Sequence, residues 1–465
     1  MLQAFLNIFR IPDLRNKVLF TLGMLAVYRI GFWIPLPGVD QSELQDFMLR
    51  QVQDGGAAGR MAQFVAIFSG GSFSQSTIFG LGVMPYISAA IIFQLVASVS
   101  TTLKRLQREG PTGRQKIQEW TRYATVGLCV VQAFGWLVFI TGSNLVYPEW
   151  ANNPLWWVSS ITAMTAGTVF LMWLGEQIDR FGIGNGVSLI ITAGILTGMP
   201  GAVQWVAANF DPADTDKMGW MGVLLLTGGF VFVIAGAILI TVAQRRIPVQ
   251  QAKHTRGRRV FGGQRSYLPL RVNHGGVMPL IFASSLMIFP SVAFGYFADS
   301  AAQAGAALWW VNTARWMAEN FQIGEYPYVV IEVALIFFFS YFWTTVQFNP
   351  EDMSKQLRDS GTFIPGIRPG PRTEEYLNTV MERVTYVGAA FLCVVAVIPI
   401  VVFRAFNVPF FVAAFLGGTG LLIVVSVGLD LIQRIEASLL MRNYAGFLGG
   451  NTEGKGPRIR GPRSM

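Results

Sequence analysis

Charge is scarce in this sequence. Only 13% of its 465 residues are Asp, Glu, Lys or Arg, against about 25% in an ordinary soluble domain. In water a chain of this length would divide into several domains, each needing a charged surface. Too few charges are present to cover such surfaces. Cysteine is nearly absent as well. Cys129 and Cys393 stand far apart inside apolar runs, which excludes a disulfide scaffold and any CxxC metal or redox site. The two histidines, His254 and His274, form no HExxH pair, and no Walker A string is present, so the chain has no P-loop with which to hydrolyse ATP. What is abundant is apolar. Hydrophobic residues make up 52% of the chain, too many for disorder, and the 50 glycines show no period, which excludes collagen. These exclusions leave an all-α polytopic membrane protein. The N-terminal MLQAFLNIFRIPDLRNK has no long apolar core followed by a small-residue cleavage site, unlike a secretory leader. It reads as a short surface helix with Leu2, Phe5, Leu6 and Phe9 on one face.

A spanning helix needs about 20 mostly apolar residues. Ten segments qualify, at approximately 18–36, 76–99, 123–142, 156–175, 183–203, 219–243, 275–296, 327–348, 384–403 and 409–433. Their length favours helices, because a barrel strand would show about ten residues of alternating character. Ten spans put both termini on one side. With the N-terminus in the cytoplasm, 29 of the 35 Lys and Arg fall on cytoplasmic segments and 5 on outer ones, with Arg29 inside the first span. This is a positive-inside distribution. The surplus is concentrated in the loops 244–274 and 349–383 and in the tail. Anionic lipid attracts some juxtamembrane charge, but loops of this length ask for a further partner.

The second span contains GVMPYI at 82–87 and the seventh contains GVMPLI at 276–281, 194 residues later. Each lies in the second span of a five-span half, taken as 1–217 and 218–465. Five is odd, so the second half has the opposite orientation, as in an inverted-topology repeat. Such folds place their site where the halves meet, which nominates Ile87 and Ile281. The alternative is that Met-Pro only kinks two helices.

Several strings, in order along nearly the whole chain, resemble the SecY family, the central channel subunits of the Sec protein translocase. They are IPLPGVD (34–40), GLGVMPYISA (80–89), GIGNGVSLII (182–191), LPLRVNHGGVMPLIFASS (268–285), FIPGIRPG (363–370), NVPFF (407–411) and GGTGLLIVV (417–425). The resemblance implies ten transmembrane helices in two inverted five-helix halves around a central pore, with a lateral opening between the second and seventh spans. It implies a protein-conducting channel, not an enzyme, that passes unfolded secretory polypeptides and releases transmembrane segments sideways into lipid. The expected setting is a bacterial plasma (inner) membrane, with both termini cytoplasmic and no cofactor. Implied partners are the small membrane subunits SecE and SecG, the motor ATPase SecA, the ribosome, signal sequences, nascent polypeptides and anionic lipids.

By the same resemblance the pore ring falls on Val83, Ile87, Ile191, Ile281 and Ile423. Aliphatic side chains suit that task, because they seal by dewetting and make no directional bonds to a passing chain. On the residues alone, core packing in a helix bundle is the favoured reading. The stretch 60–76 is too short to span, and Gly70 and Gly71 break it. In the family it is a plug under the ring, which nominates Met61, Phe64, Ile67, Phe68, Gly70 and Gly71; the alternative is an interfacial helix. The lateral gate falls on Ser88, Ile91, Gln94, Ser285 and Phe289. Gln94 and Asn185 are polar residues near membrane depth and suit interhelical hydrogen bonds, which ordinary packing would also explain. Arg256, Arg258 and Arg259 belong to a loop with eight basic and no acidic residues, a charge cluster suited to the phosphates of structured RNA. Arg368 lies between Pro365 and Pro369 and matches a functionally sensitive arginine of the family. For the tail KGPRIRGPR, a membrane-surface anchor is the alternative. GIGNG follows a span rather than a strand and lacks the acidic partner of a nucleotide site, so a tight turn into the fifth span is expected.

The main rival is a ten-span secondary transporter of a small solute. It would need intramembrane ionisable groups. Only Arg29, Glu332 near an outer end and Asp430 near an inner end are candidates, and they form no obvious pair. The segment 297–326, with Trp309, Trp310 and Trp316, reads as an outer interfacial helix.

Overall fold

The computed structural model describes residues 11–44, 46–47, 76–142, 145–211, 219–252, 254–256, 259–261, 263, 265–284, 286–287, 290, 294, 308–321, 325–406, 412 and 419–448. The stretch 1–10 and the segment 60–75, with Met61, Phe64, Ile67, Phe68, Gly70 and Gly71, lie outside the described residues, as do Arg258, Ser285 and Phe289.

Each of the ten expected spans overlaps a helix. These are α1 (Pro12–Gly31), α2 (Met84–Val99), α3 (Pro111–Gly142), α4 (Pro154–Phe181), α5 (Gly186–Ala208) and α6 (Trp220–Val242). They continue with α7 (278–284), α8 (Tyr326–Gln347), α9 (Pro371–Phe406) and α10 (Thr419–Leu448). Among the described residues, α3, α4, α5, α6, α8 and α9 are each long and apolar enough to cross a membrane by themselves. Helix α6 exposes Leu224, Val231 and Leu239 and is apolar on every side, as a lipid-facing helix must be. Short helices occupy Thr101–Arg108, Leu308–Asn320 and Pro350–Asp359. The middle one carries Trp309, Trp310 and Trp316, all exposed.

Several span edges differ from expectation for identifiable reasons. The first span, expected to reach 36, ends at Gly31. A proline cannot continue a helix, and it disfavours helix in the residue before it, so Pro35 and Pro37 force an early stop. Arg29 therefore sits exposed in the last turn, with its guanidinium 5.8 Å from the centre of the Phe32 ring. Residues 34–39 form instead a strap with bridges at Pro35 and Val39 on either side of a turn at Pro37 and Gly38. Ile78 N donates to Ile34 O at 3.1 Å and Leu36 N to Ser76 O at 2.9 Å. Trp156 Nε1 donates to Pro37 O at 2.7 Å, which ties the strap to α4. Because 76–83 pair with this strap and turn, the second span starts at Met84 rather than 76, with Pro85 in its first turn, where a missing N–H costs nothing.

The basic segments between spans are also more ordered than a loop reading allows. The segment 100–122 is mostly helix, since α3 begins at Pro111. The segment 244–274 is a hairpin in which β1 (Gln244–Gln251) pairs antiparallel with β4 (Arg265–Arg271), Ile247 facing Leu268. Its tip holds the strand pair β2 (His254–Arg256) and β3 (Arg259–Phe261). A fifth strand, β5 (Thr362–Phe363), joins β1 at Gln250 and Gln251, so the two basic loops form one unit. The alternation that makes β1 a strand is short: Ile247 and Val249 point inward among arginines and glutamines. Pro248 is tolerated because β5 reaches only Gln250, leaving an open edge beside it. The inward side chains pack with Leu270 on Leu377, Val380 and Met381 of α9.

Three apolar clusters organise the membrane region. One joins the strap residues Leu36 and Val39 to Cys129 and Leu137 of α3 and Met164 of α4. A second joins Val233 of α6, Leu280 of α7, Ile336 of α8, Leu392 of α9 and Leu421 of α10. The third is shared between the first five helices and the last five. Within the first five, α4 and α5 cross almost in backbone contact: a Cβ on Gly186 would stand 2.0 Å from Gly175 O. Gly186→Ala should therefore force the two helices apart and lower the thermal unfolding temperature of the purified protein. Gly198→Ala, in the same helix with nothing within 4 Å, should be neutral or stabilising by up to about 1 kcal/mol. Equal behaviour of the two variants would remove the close crossing from this account.

Candidate functional site

The two GVMP strings fold alike. Gly82 has φ +56° and Gly276 has φ +59°, a left-handed conformation that favours glycine. The helix then begins at Met84 in one string and at 278 in the other. Ile87 N donates to Val83 O at 3.0 Å, and Ile281 N donates to Val277 O at 3.2 Å. The strings thus make one turn twice rather than two helix kinks. They set Ile87 and Ile281 at the same position, the fourth residue of α2 and of α7.

These two isoleucines fall in one cluster. Val83 and Ile87, Ile191 of α5, Ile281 of α7 and Ile423 of α10 are all buried and all belong to the shared cluster. Above four of them opens a cavity of about 480 Å³, lined by Ile87, Ile191, Ile281 and Ile423. Val83 is buried at 3% exposure and is not part of that lining. Ile91 and Gln94 line the cavity one and two turns further along α2, whereas Ser88 is half-buried and does not. Ile91 also touches both the shared cluster and the cluster of the last five helices.

The far wall of the cavity is polar, and sequence reasoning did not assemble it. Asp179, Arg271, Asp430 and Arg434 converge there from α4, β4 and α10. Arg434 Nε donates to Asp430 Oδ2 at 2.8 Å, an i,i+4 pair that the sequence does display; only the fold brings it over the isoleucines. Asp179 Oδ1 accepts from Gly186 N at 2.7 Å. Asn185, expected to bond between helices, instead caps α5 by accepting from Ser188 N at 3.1 Å. With Gly184 at φ +99°, GIGNG is a tight turn into the fifth span, as expected. Burial holds the imidazole of His274, next to the cavity wall, below its usual pKa.

The basic residues divide. Arg256 and Arg259 face each other across β2 and β3 at the hairpin tip. Arg368 is exposed in a turn fixed by Gly366 at φ +85° and Gly370 at φ +114°. Thr373 Oγ1 donates to Arg368 O at 3.0 Å, and Ser354 Oγ donates to Gly370 O at 2.9 Å. Hydroxyl bonds to the backbone carbonyls therefore hold the turn, while the Arg368 side chain stays exposed.

The SecY family model matches residues 77–432. The chain belongs to the SecY family. It is 41% identical to the protein translocase subunit SecY of Chlamydia trachomatis over 456 residues, covering 95% of this chain and 97% of that protein. It is 39% identical to SecY of Thermotoga maritima over 465 residues, with both chains fully covered. Among solved structures it is similar to a protein conducting channel, with a TM-score of 0.57, 18% identity, and 92% and 93% of the two chains covered. It is also similar to Sec61 in the canine ribosome-channel complex, with a TM-score of 0.54, 16% identity and the same coverage. The chain is therefore a multi-pass membrane protein with the SecY fold.

The cavity has a polar wall and an aliphatic floor, a difference that thiol labelling can read. With the buried native cysteines replaced, Gln94→Cys and Asp430→Cys should react with a water-soluble maleimide. Val83→Cys, below the isoleucines, should react far more slowly. Equal rates at all three positions would contradict a sealed floor.

Proposed function

We infer that this chain is the protein-conducting channel of a Sec-type translocase, passing unfolded secretory polypeptides across the membrane and releasing apolar segments sideways into lipid. The observation that carries this reading is the convergence of Ile87, Ile191, Ile281 and Ile423 under a cavity with a polar wall. A narrow aliphatic zone excludes ions by dewetting and offers a moving chain no hydrogen bonds to hold. With Val83 these residues form the ring of the channel. The halves 1–217 and 218–465 close on it, 60–76 plugs it from outside, and Ser88, Ile91, Gln94, Ser285 and Phe289 line the lateral exit. As a SecY-family channel subunit the chain is not an enzyme, and energy comes from a partner.

The ribosome and the motor ATPase SecA dock on the unit made by the β1–β4 hairpin and the Arg368 turn. Arg256, Arg258, Arg259 and Arg368 supply its contacts to phosphate or carboxylate. SecE and SecG complete the complex in a bacterial plasma membrane, with both termini in the cytoplasm. The bacterial relatives and the 29 cytoplasmic Lys and Arg support that placement. A small-solute transporter is disfavoured, because Asp430 is tied to Arg434 and Glu332 does not line the cavity.

Ile281→Asn should place an amide in the ring, hydrate it and raise the resting conductance of the purified complex in planar bilayers. Unchanged conductance with an intact fold would remove Ile281 from the gate. Arg368→Glu should shift stability by no more than about 0.5 kcal/mol, as is usual for exposed positions. Losing a desolvated charge contact to a partner costs about 2–5 kcal/mol, so SecA-driven import into proteoliposomes should fall sharply. Normal import would sever this turn from the function, and loss of import together with the fold would make it structural.

A further inference from the structure

The last turns of α8 and the early turns of α9 border a cavity of about 390 Å³. Tyr341, Thr344 and Phe348 line it from α8 and its C-cap, and Met381, Glu382 and Thr385 line it from α9. Phe348 and Met381 also belong to the apolar cluster under the β1–β4 sheet. The cavity therefore lies where the sheet unit meets two spans. The apolar run 327–348 ends at its wall and the run 384–403 begins there, which places it at the depth of lipid headgroups.

Among the described residues that line the cavity, Glu382 alone is charged. Asn378 Nδ2 donates to its Oε1 at 2.9 Å, and the Tyr341 hydroxyl lies near the same carboxylate. Both of these neighbours are neutral. The ion pairs among the described residues do not include Glu382. Arg383, the next residue, is exposed and does not line the cavity. A half-buried carboxylate at a membrane edge is costly unless a cation meets it.

The rings beside Glu382 suit the same class of ligand. The ring centres of Tyr341 and Tyr386 are 6.4 Å apart, and those of Tyr386 and Phe337 are also 6.4 Å apart. The three rings make a strip that runs from the cavity toward the middle of both helices, and Tyr341, Tyr386 and the adjacent Phe338 are exposed. Aromatic faces attract cations, and tyrosine is enriched at the membrane–water boundary. A ligand that fits both features carries an ammonium for Glu382 and acyl chains for the strip.

We propose that this cavity binds the primary ammonium of a zwitterionic phospholipid headgroup, with Glu382 as its counter-ion and the Tyr341–Tyr386–Phe337 strip as the bed for its chains. A primary ammonium donates up to three hydrogen bonds, and a quaternary one donates none. Thr385 Oγ1 donates to Thr344 Oγ1 at 3.2 Å, and Thr344 Oγ1 donates to Ser340 O at 2.9 Å. Both hydroxyls keep a lone pair with which to accept from the ammonium beside the carboxylate. The site requires only that α8 and α9 lie in a membrane, not that the chain is a channel.

The test uses the full complex in vesicles of equal parts phosphatidylethanolamine and phosphatidylcholine, released for native mass spectrometry to count the lipids that stay bound. Wild-type complex should retain phosphatidylethanolamine several-fold over phosphatidylcholine. Glu382→Gln should lose that preference, while Glu375→Gln, exposed elsewhere on α9, should keep it. A second arm needs no variant. A carbodiimide, which condenses a carboxyl with an adjacent primary amine and takes up the water released, should join Glu382 of the wild-type complex to phosphatidylethanolamine, as read by peptide mapping. Equal retention of the two lipids, or a preference unchanged in Glu382→Gln, would overturn the site. Displacement of the lipid by water-soluble phosphoethanolamine would overturn the lipid as the source of the amine. Coupling of Glu382 to a lysine of a partner subunit would overturn it as well.

Discussion

A passage for polypeptide must close to ions without binding its cargo, and the aliphatic side chains that α2, α5, α7 and α10 bring into one cluster are proposed to meet that requirement. Water leaves a narrow zone walled by branched aliphatic side chains because nothing there replaces its hydrogen bonds. Ile87, Ile191, Ile281 and Ile423 are side chains of this kind, buried in the cluster shared by the first and last five helices. Polar groups are kept on one side of it. Asp179 is spent on Gly186 N and Asp430 on Arg434, which leaves the isoleucines to one another.

The position of this contact depends on backbone details at its edges. The turns at Gly82 and Gly276 bring α2 and α7 in at equivalent residues. The strap from 34 to 39 holds the first turn down through Ile34 and Leu36. The Gly175–Gly186 crossing brings α5 close to α4 and so carries Ile191 to the centre. Helix α9 links this region to the small sheet. One 36-residue helix contributes Leu377 and Val380 to the core of the sheet and Leu392 and Val395 to the membrane cluster. The basic hairpin and the channel wall therefore share a rigid element.

The limits of reading by composition are visible in particular residues. Apolar run length located every span but misjudged edges wherever proline or pairing with a distant segment intervened, as at Pro35 and at 76–83. The hairpin was missed because two inward residues among arginines and prolines give too short an alternation, and because its cover is α9, more than a hundred residues away. Asn185 was read as an interhelical donor because it lies at membrane depth, yet its position before Gly186 makes it a helix cap. The acidic and basic wall of the cavity was missed because Asp179, Arg271 and Asp430 are distant in sequence and have no motif in common.

The sequence by itself determined that this is a multi-pass membrane protein, where its helices run, in which loops its positive charge is concentrated and, through its GVMP strings and others like them, the family to which it belongs. Those properties are local or additive: hydrophobic length, charge count and short strings survive without coordinates. Only the tertiary structure decided that five aliphatic residues spread over 340 positions share one cluster, that two basic loops form one sheet, and that Glu382 shares a cavity with Tyr341. Each of these depends on which helices become neighbours, and that is settled by side-chain packing between segments far apart in the chain, which no local pattern encodes.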